Sequence, residues 1–171
     1  MTCFTVSEGV GRYPATEAPS MSRRSQPSPV FTGEYRHTVD DKGRLAIPTR
    51  LRAQLAEGGQ VSAWMDGCVA LHPKDEWEQM TAKVDALPFT AEPARKLRRL
   101  LYGSAYEAKL DRQGRFVLPQ KLREYAGIEA EVVLVGAGSR IELWSPERWS
   151  EFSEQMDQPE ALAESLDGLG I

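Results

Sequence analysis

The stretch VDDKGRLAIPTRLR, residues 39–52, reads as a turn, a strand, a proline and a short basic helix, and the chain repeats it as LDRQGRFVLPQKLR at 110–123. Asp40, Gly43, Arg44, Pro48, Leu51 and Arg52 return as Asp111, Gly114, Arg115, Pro119, Leu122 and Arg123, at a constant offset of 71. In each copy a glycine follows polar turn residues, where it can take positive φ without steric cost. The proline cannot donate to a strand ladder but suits the start of a helix.

Working outward, YRHTV before the first turn and RLAI after it read as strands. PTRLRAQLAEGG reads as a helix with Leu51 and Leu55 on one face and Gly58-Gly59 as its stop. QVSAWM and CVALH form a predicted hairpin. PKDEWEQMTAKVDAL forms a helix with Trp77, Met80, Val84 and Leu87 at helical spacing. TAEPARKLRRLLYGSA links the units as a further helix. The order then recurs: strand YEAKL, turn DRQG, strand RFVL, helix PQKLREYAG, hairpin EVVLVG–AGS–RIELW, helix SPERWSEFSEQM. VALHPKDEW matches IELWSPERW at an offset of 72, so the second hairpin loop has gained one residue, and Trp77 and Trp149 hold equivalent places. Half-units this short bury little core alone, so the two are expected to pack together as a pseudo-twofold pair. The predicted divisions are 1–29, a Pro/Ser-rich disordered extension; 34–76, the first unit; 77–104, a helical linker; 105–148, the second unit; and 149–171, a helix with a frayed acidic tail.

A chain of 171 residues with 41% hydrophobic and 27% charged content suits one ordinary globular domain or two small ones. No apolar run nears the roughly 18 residues of a membrane span, no secretory h-region appears, and no membrane partner is expected. Cys3 and Cys68 give no disulfide framework, which makes a reduced, cytoplasmic setting the expectation. Net charge is −4 but unevenly spread: residues 23–52 are +4, residues 95–123 are +7 and residues 124–171 are −9. Both motif copies sit in basic surroundings, and local field decides what a face attracts.

Asp40 with Arg44, and Asp111 with Arg115, can meet across their turns. Each aspartate then either caps the turn and pairs with the arginine, or orients its fork toward a phosphate or a guanine edge; both can hold together. Lys42 and Arg112 lie in the same turns, and Arg50, Arg52, Lys121 and Arg123 follow on the short helices. Singly these are ordinary surface charges; repeated at matching positions they point to phosphate contact. Arg95, Lys96, Arg98 and Arg99 could add to this. Trp64, Trp77, Trp144 and Trp149 read as core and interface anchors. GAGS (136–139) reads as a hairpin turn rather than a nucleotide site. Cys68 and His72 lack a second pair to complete a metal site. No cofactor is expected, and no nucleophile stands beside an obvious base, so the chain is not expected to be an enzyme.

FTGEYRHTVDDKGRLAIPTRLR, DGCVALHPKDEW, LDRQGRFVLPQKLREYAGI and EVVLVGAGSRIELWSPERW are together similar to the MraZ family of bacterial transcriptional regulators, over about residues 31–152. The resemblance implies an α+β, β-rich fold: two pseudo-symmetric AbrB-like (SpoVT-AbrB) swapped-hairpin halves whose strands interleave into a small barrel with flanking helices. It implies ring-like homo-oligomers that bind double-stranded DNA at short direct repeats in the promoter of their own division and cell wall operon, usually as a repressor, and hence association with the nucleoid. Carried over to this chain, it names Asp40, Arg44, Asp111 and Arg115 as the DNA-reading surface. Lys42 fills the basic turn position of the first copy, whereas Gln113 stands there in the second. An alternative function is an antitoxin-like protein-interaction module whose basic turns hold an acidic partner chain. Family members begin near a Met-Phe that aligns with Val30-Phe31, and GTG can serve as a start codon, so translation is expected to begin at Val30. Intact-mass measurement of the native protein should then show an N-terminus at residue 30; Met1 or Thr2 there would contradict it.

Overall fold

The computed structural model describes residues 30–156. The expected disorder of 1–29 and the acidic tail from 157 lie outside them. Among the described residues, eight strands and five α-helices follow in chain order: β1 Glu34–Thr38, β2 Arg44–Ala46, α1 Thr49–Arg52, β3 Gly59–Ala63, β4 Val69–Pro73, α2 Lys74–Asp85, α3 Glu92–Ser104, β5 Tyr106–Ala108, β6 Arg115–Val117, α4 Gln120–Ala126, β7 Glu131–Gly136, β8 Ile141–Trp144 and α5 Pro146–Met156. The fold is α+β with antiparallel strand pairing throughout.

Strand pairing crosses between the sequence repeats. The main sheet runs β1-β7-β8-β4-β3-β5, and β2 and β6 form a separate two-stranded ribbon. Thus β1 pairs with β7, from Glu34↔Val135 to Thr38↔Glu131. Its counterpart β5 pairs with β3, from Gly59↔Ala108 to Val61↔Tyr106. β4 and β8 join the two hairpins at Val69↔Leu143 and Leu71↔Ile141. The expected barrel does not close. β1 and β5 end the sheet, and the ribbon meets it through a single bridge, Val39↔Leu45. The ribbon in turn stops at its own ends: Ile47 and Leu118 give their N–H groups to the opposite turn, and Pro48 and Pro119 follow with none to extend the ladder.

Alternation along the strands sorts side chains to the two faces of the sheet. Val61, Leu71, Val132, Leu134, Ile141 and Leu143 face a core completed by Leu45, Phe116, Leu51, Leu55, Leu118 and Leu122 from the ribbon and the short helices. Full burial of each such side chain contributes about 1.5–3 kcal/mol. On the other face, Val133 and Trp144 join Cys68 and Trp149 in a second cluster under α5.

Several expectations shift. The helix expected from Pro48 is one α-turn, continued by a 3-10 turn at Ala53–Leu55; Leu51 and Leu55 are buried as their spacing requires. Leu87, expected on the core face of α2, is 40% exposed. The helix ends at Asp85, ahead of Pro88, so helical spacing no longer carries Leu87 inward. Arg98 on α3 closes that end by donating Nη2 to the carbonyls of Val84, Asp85 and Leu87 at 3.1, 3.0 and 2.7 Å. Trp144 and Trp149 are buried, while Trp64 and Trp77 are half-buried around His72, at ring separations of 5.1 and 5.8 Å. No helix among the described residues is long and apolar enough to cross a membrane.

His72 on β4 is 2% exposed, and burial, then the Arg140 charge, push its pKa from 6.5 down to about 4. The unfolded chain therefore binds a proton that the folded chain refuses between those values. Stability from this group is complete above 6.5 and shrinks by on the order of 3 kcal/mol as pH falls to about 4. Melting temperatures across that range should show the slope in the wild type and lose it in His72→Gln; an equal slope in both would contradict the assignment.

Candidate nucleic-acid interface

Each turn is built around one carboxylate. Asp40 Oδ1 accepts the backbone N–H groups of Lys42 (3.0 Å) and Arg44 (2.9 Å), and Oδ2 accepts Arg44 Nε at 2.7 Å. Asp111 does the same, with Gln113 N and Arg115 N both at 2.9 Å and Arg115 Nε at 3.0 Å. The Arg44 backbone N–H holds the Asp40 carboxyl below its ordinary 3.8, and that of Arg115 does so for Asp111. Gly43 and Gly114 close the turns at φ 74° and 75°, where a side chain would be strained. One carboxylate thus both caps the turn and holds the arginine, through Nε in the first copy and through Nε and Nη2 (3.0 Å) in the second.

Antiparallel pairing of β2 with β6 brings the two arginines together. Arg44 lies opposite Val117, Leu45 opposite Phe116 and Ala46 opposite Arg115. Directly opposed residues share a face. Leu45 and Phe116 therefore point into the core, at 0% and 2% exposure, while Arg44, Ala46, Arg115 and Val117 share the outward face. The result is a narrow two-stranded ribbon with an aspartate-held arginine from each copy.

Neither turn stands alone. The Gly43 carbonyl accepts Leu118 N–H at 2.8 Å, and the Gly114 carbonyl accepts Ile47 N–H at 2.9 Å. Arg52 lies across Gly114 and donates Nε to the Ile47 carbonyl at 2.6 Å. Arg123 lies against Gly43, with Nη2 3.6 Å from where a Cβ would stand. Arg52 thus braces the opposite turn, and Arg123 is its counterpart. Lys42, Arg50, Arg112 and Lys121 are exposed around the ribbon, with no ion pair among the described residues.

On the linking helix, Arg98 caps α2, Arg95 donates to Phe89 and Thr90 carbonyls, and Lys96 pairs with Glu92 at 2.8 Å. Of that basic run, Arg99 is left exposed without such a role. No cluster of three or more His, Cys, Asp or Glu side chains among the described residues could hold a metal. Cys68 is fully buried, and burial, then the Glu142 charge, push its thiol up to about 12, far from a usable thiolate. Sequence reasoning missed Val117 as a surface residue. Its signal was alternation: it stands two residues from Arg115 in one strand, hence on the same face.

Gly114→Ala places a methyl onto the Arg52 guanidinium stem as well as straining φ, whereas the nearest atom at Gly43 is 3.4 Å away. Gly114→Ala should cost about 1–3 kcal/mol from φ strain alone, with a further loss from displacing Arg52. Chemical denaturation should rank it below Gly43→Ala; the reverse order would contradict the Arg52 contact.

A family profile described as "MraZ protein, putative antitoxin-like" matches the chain twice, over residues 30–100 and 101–167. The transcriptional regulator MraZ of Heliobacterium modesticaldum is 45% identical over 138 residues, covering 80% of this chain and 96% of that protein. That of Syntrophomonas wolfei is 43% identical over 143 residues, covering 83% and 100%. That of Moorella thermoacetica is 47% identical over 138 residues, covering 80% and 96%. With two profile matches spanning the paired turns and relatives matched over nearly their whole length, the chain belongs to the MraZ family.

Proposed function

We propose that this chain is a sequence-specific DNA-binding transcription regulator that represses its own division and cell wall operon by binding short direct repeats in the promoter. The observation that carries the reading is the ribbon: Arg44 and Arg115, each oriented by an aspartate, on one outward face of two antiparallel strands. A two-stranded ribbon fits the major groove, and arginine is the side chain that pairs bidentately with guanine there. Lys42, Arg50, Arg112 and Lys121 supply phosphate contacts around it, which set affinity without reading sequence. The relatives' name, transcriptional regulator, accords with this.

In the same reading, two SpoVT-AbrB units over 34–76 and 105–148 are related by a pseudo-twofold axis and exchange hairpins to build the ribbon jointly. Several copies assemble into a ring, so that neighbouring repeats are bound at high effective concentration and weak contacts add. Arg52 adds to the DNA contacts from the edge of the ribbon while its Nε supports the opposite turn. The antitoxin-like description of the family favours one second reading, in which the basic face holds an acidic protein chain.

Fluorescence anisotropy on the DNA upstream of the gene, against a scrambled duplex at two salt concentrations, tests this. Arg44→Ala and Arg115→Ala should each lose about 1–3 kcal/mol on the specific duplex, and Arg50→Ala should weaken both duplexes equally and reduce the salt slope by about 1. Equal binding to both duplexes, indifferent to Arg44 and Arg115, would overturn the reading and favour the protein partner.

A further inference from the structure

We infer that Val117 reads a thymine methyl group in the major groove, next to the base contacted by Arg44. The inference rests on the DNA-binding reading above and adds to it a specificity-determining residue without charge. A single exposed apolar residue is ordinary on a protein surface. The place of this one is not. Val117 is 58% exposed, stands directly opposite Arg44, and shares the outward face of the ribbon with Ala46 and the two aspartate-held arginines. It belongs to neither hydrophobic cluster, so the fold gains little from its two methyls.

The chemistry of the groove says what those methyls meet. Of the groups that base pairs present in the major groove, the C5-methyl of thymine is the apolar one. Opposed Cβ atoms in a ladder are about 5 Å apart, and base pairs rise about 3.4 Å. With Arg44 on a guanine, Val117 therefore falls one or two base pairs away. The flanking arginines and lysines supply the charge complementarity that seats the ribbon.

The two ends of the ribbon are not equivalent. The repeat counterpart of Val117, 71 positions earlier, is Ala46, which lies opposite Arg115. Alanine has a shorter reach and less apolar surface. The Arg44–Val117 end thus discriminates thymine more strongly than the Arg115–Ala46 end, and a site bound by one ribbon is read asymmetrically.

The test is anisotropy of the full chain on the duplex upstream of its gene, with each thymine replaced in turn by deoxyuridine. That change removes one methyl and keeps base pairing. Wild type should lose about threefold to fivefold at one or two positions, the loss expected for one buried methyl. Val117→Ala should bind the unmodified duplex that much more weakly and lose nothing further at the same positions, with its melting temperature unchanged. Wild-type indifference to every replacement, or an equal loss in Val117→Ala, overturns the assignment. Selective binding that Arg44→Ala abolishes but no deoxyuridine affects defeats the Val117 assignment alone. Equal binding to native and scrambled duplexes defeats the DNA-reading function and this inference with it.

Discussion

Gly43 and Gly114 each hand a backbone carbonyl to the other repeat, to Leu118 and Ile47 respectively, and the outward ribbon exists because of this exchange. A two-stranded sheet of three residues a side is marginal by itself. Here it is clamped at both ends by the other copy's turn and held from beneath by Leu45 and Phe116 in the core. Each turn depends in its own right on an aspartate that satisfies two backbone donors. The arginine orientations therefore follow from backbone demands that would exist without any ligand.

Arginine serves several ends in this chain, and the differences come from what stands opposite. Arg44 and Arg115 face a carboxylate on one side and solvent on the other. Arg52 lies over Gly114, where the absence of Cβ admits its guanidinium, and Arg123 rests in van der Waals contact with Gly43. Arg98 satisfies the last carbonyls of α2, and Arg148 donates to Gly67 and Tyr125 carbonyls to fasten α5. Part of the basic content, Arg52, Arg98, Arg123 and Arg148, is thus engaged in contacts within the molecule. Counting charge along the sequence overstates the charge that a face can offer.

What could be read from the sequence was local. The Asp-x-x-Gly-Arg turn, the proline after the strand and the Leu51–Leu55 spacing are short-range patterns, and the structure shows each. The sheet's open ends were not legible, because closure depends on which strand finds which donor. The contact of Arg52 with the opposite turn was not legible for a related reason. In sequence Arg52 is a basic residue on a short helix, and its neighbour Gly114 lies 62 positions away. Leu87 shows the limit of periodicity: the pattern continues on paper two residues past the end of the helix.

The crossed pairing also bears on synthesis. β1 has no partner until β7 exists, about a hundred residues later, and the β4 edge stays open until β8 does, about seventy residues later, from Thr38↔Glu131 and Leu71↔Ile141 onward. At a translation rate of roughly 5–20 residues per second, the β1 edge waits on the order of 5–20 s on the ribosome. In the later part of that interval, from the synthesis of β4 to that of β8, Val69 and Leu71 lie beside unpaired backbone, the kind of edge that invites pairing with another nascent chain. Neighbouring ribosomes on one message carry the same first copy, so chaperone cover over this window bears directly on the yield of correctly paired protein.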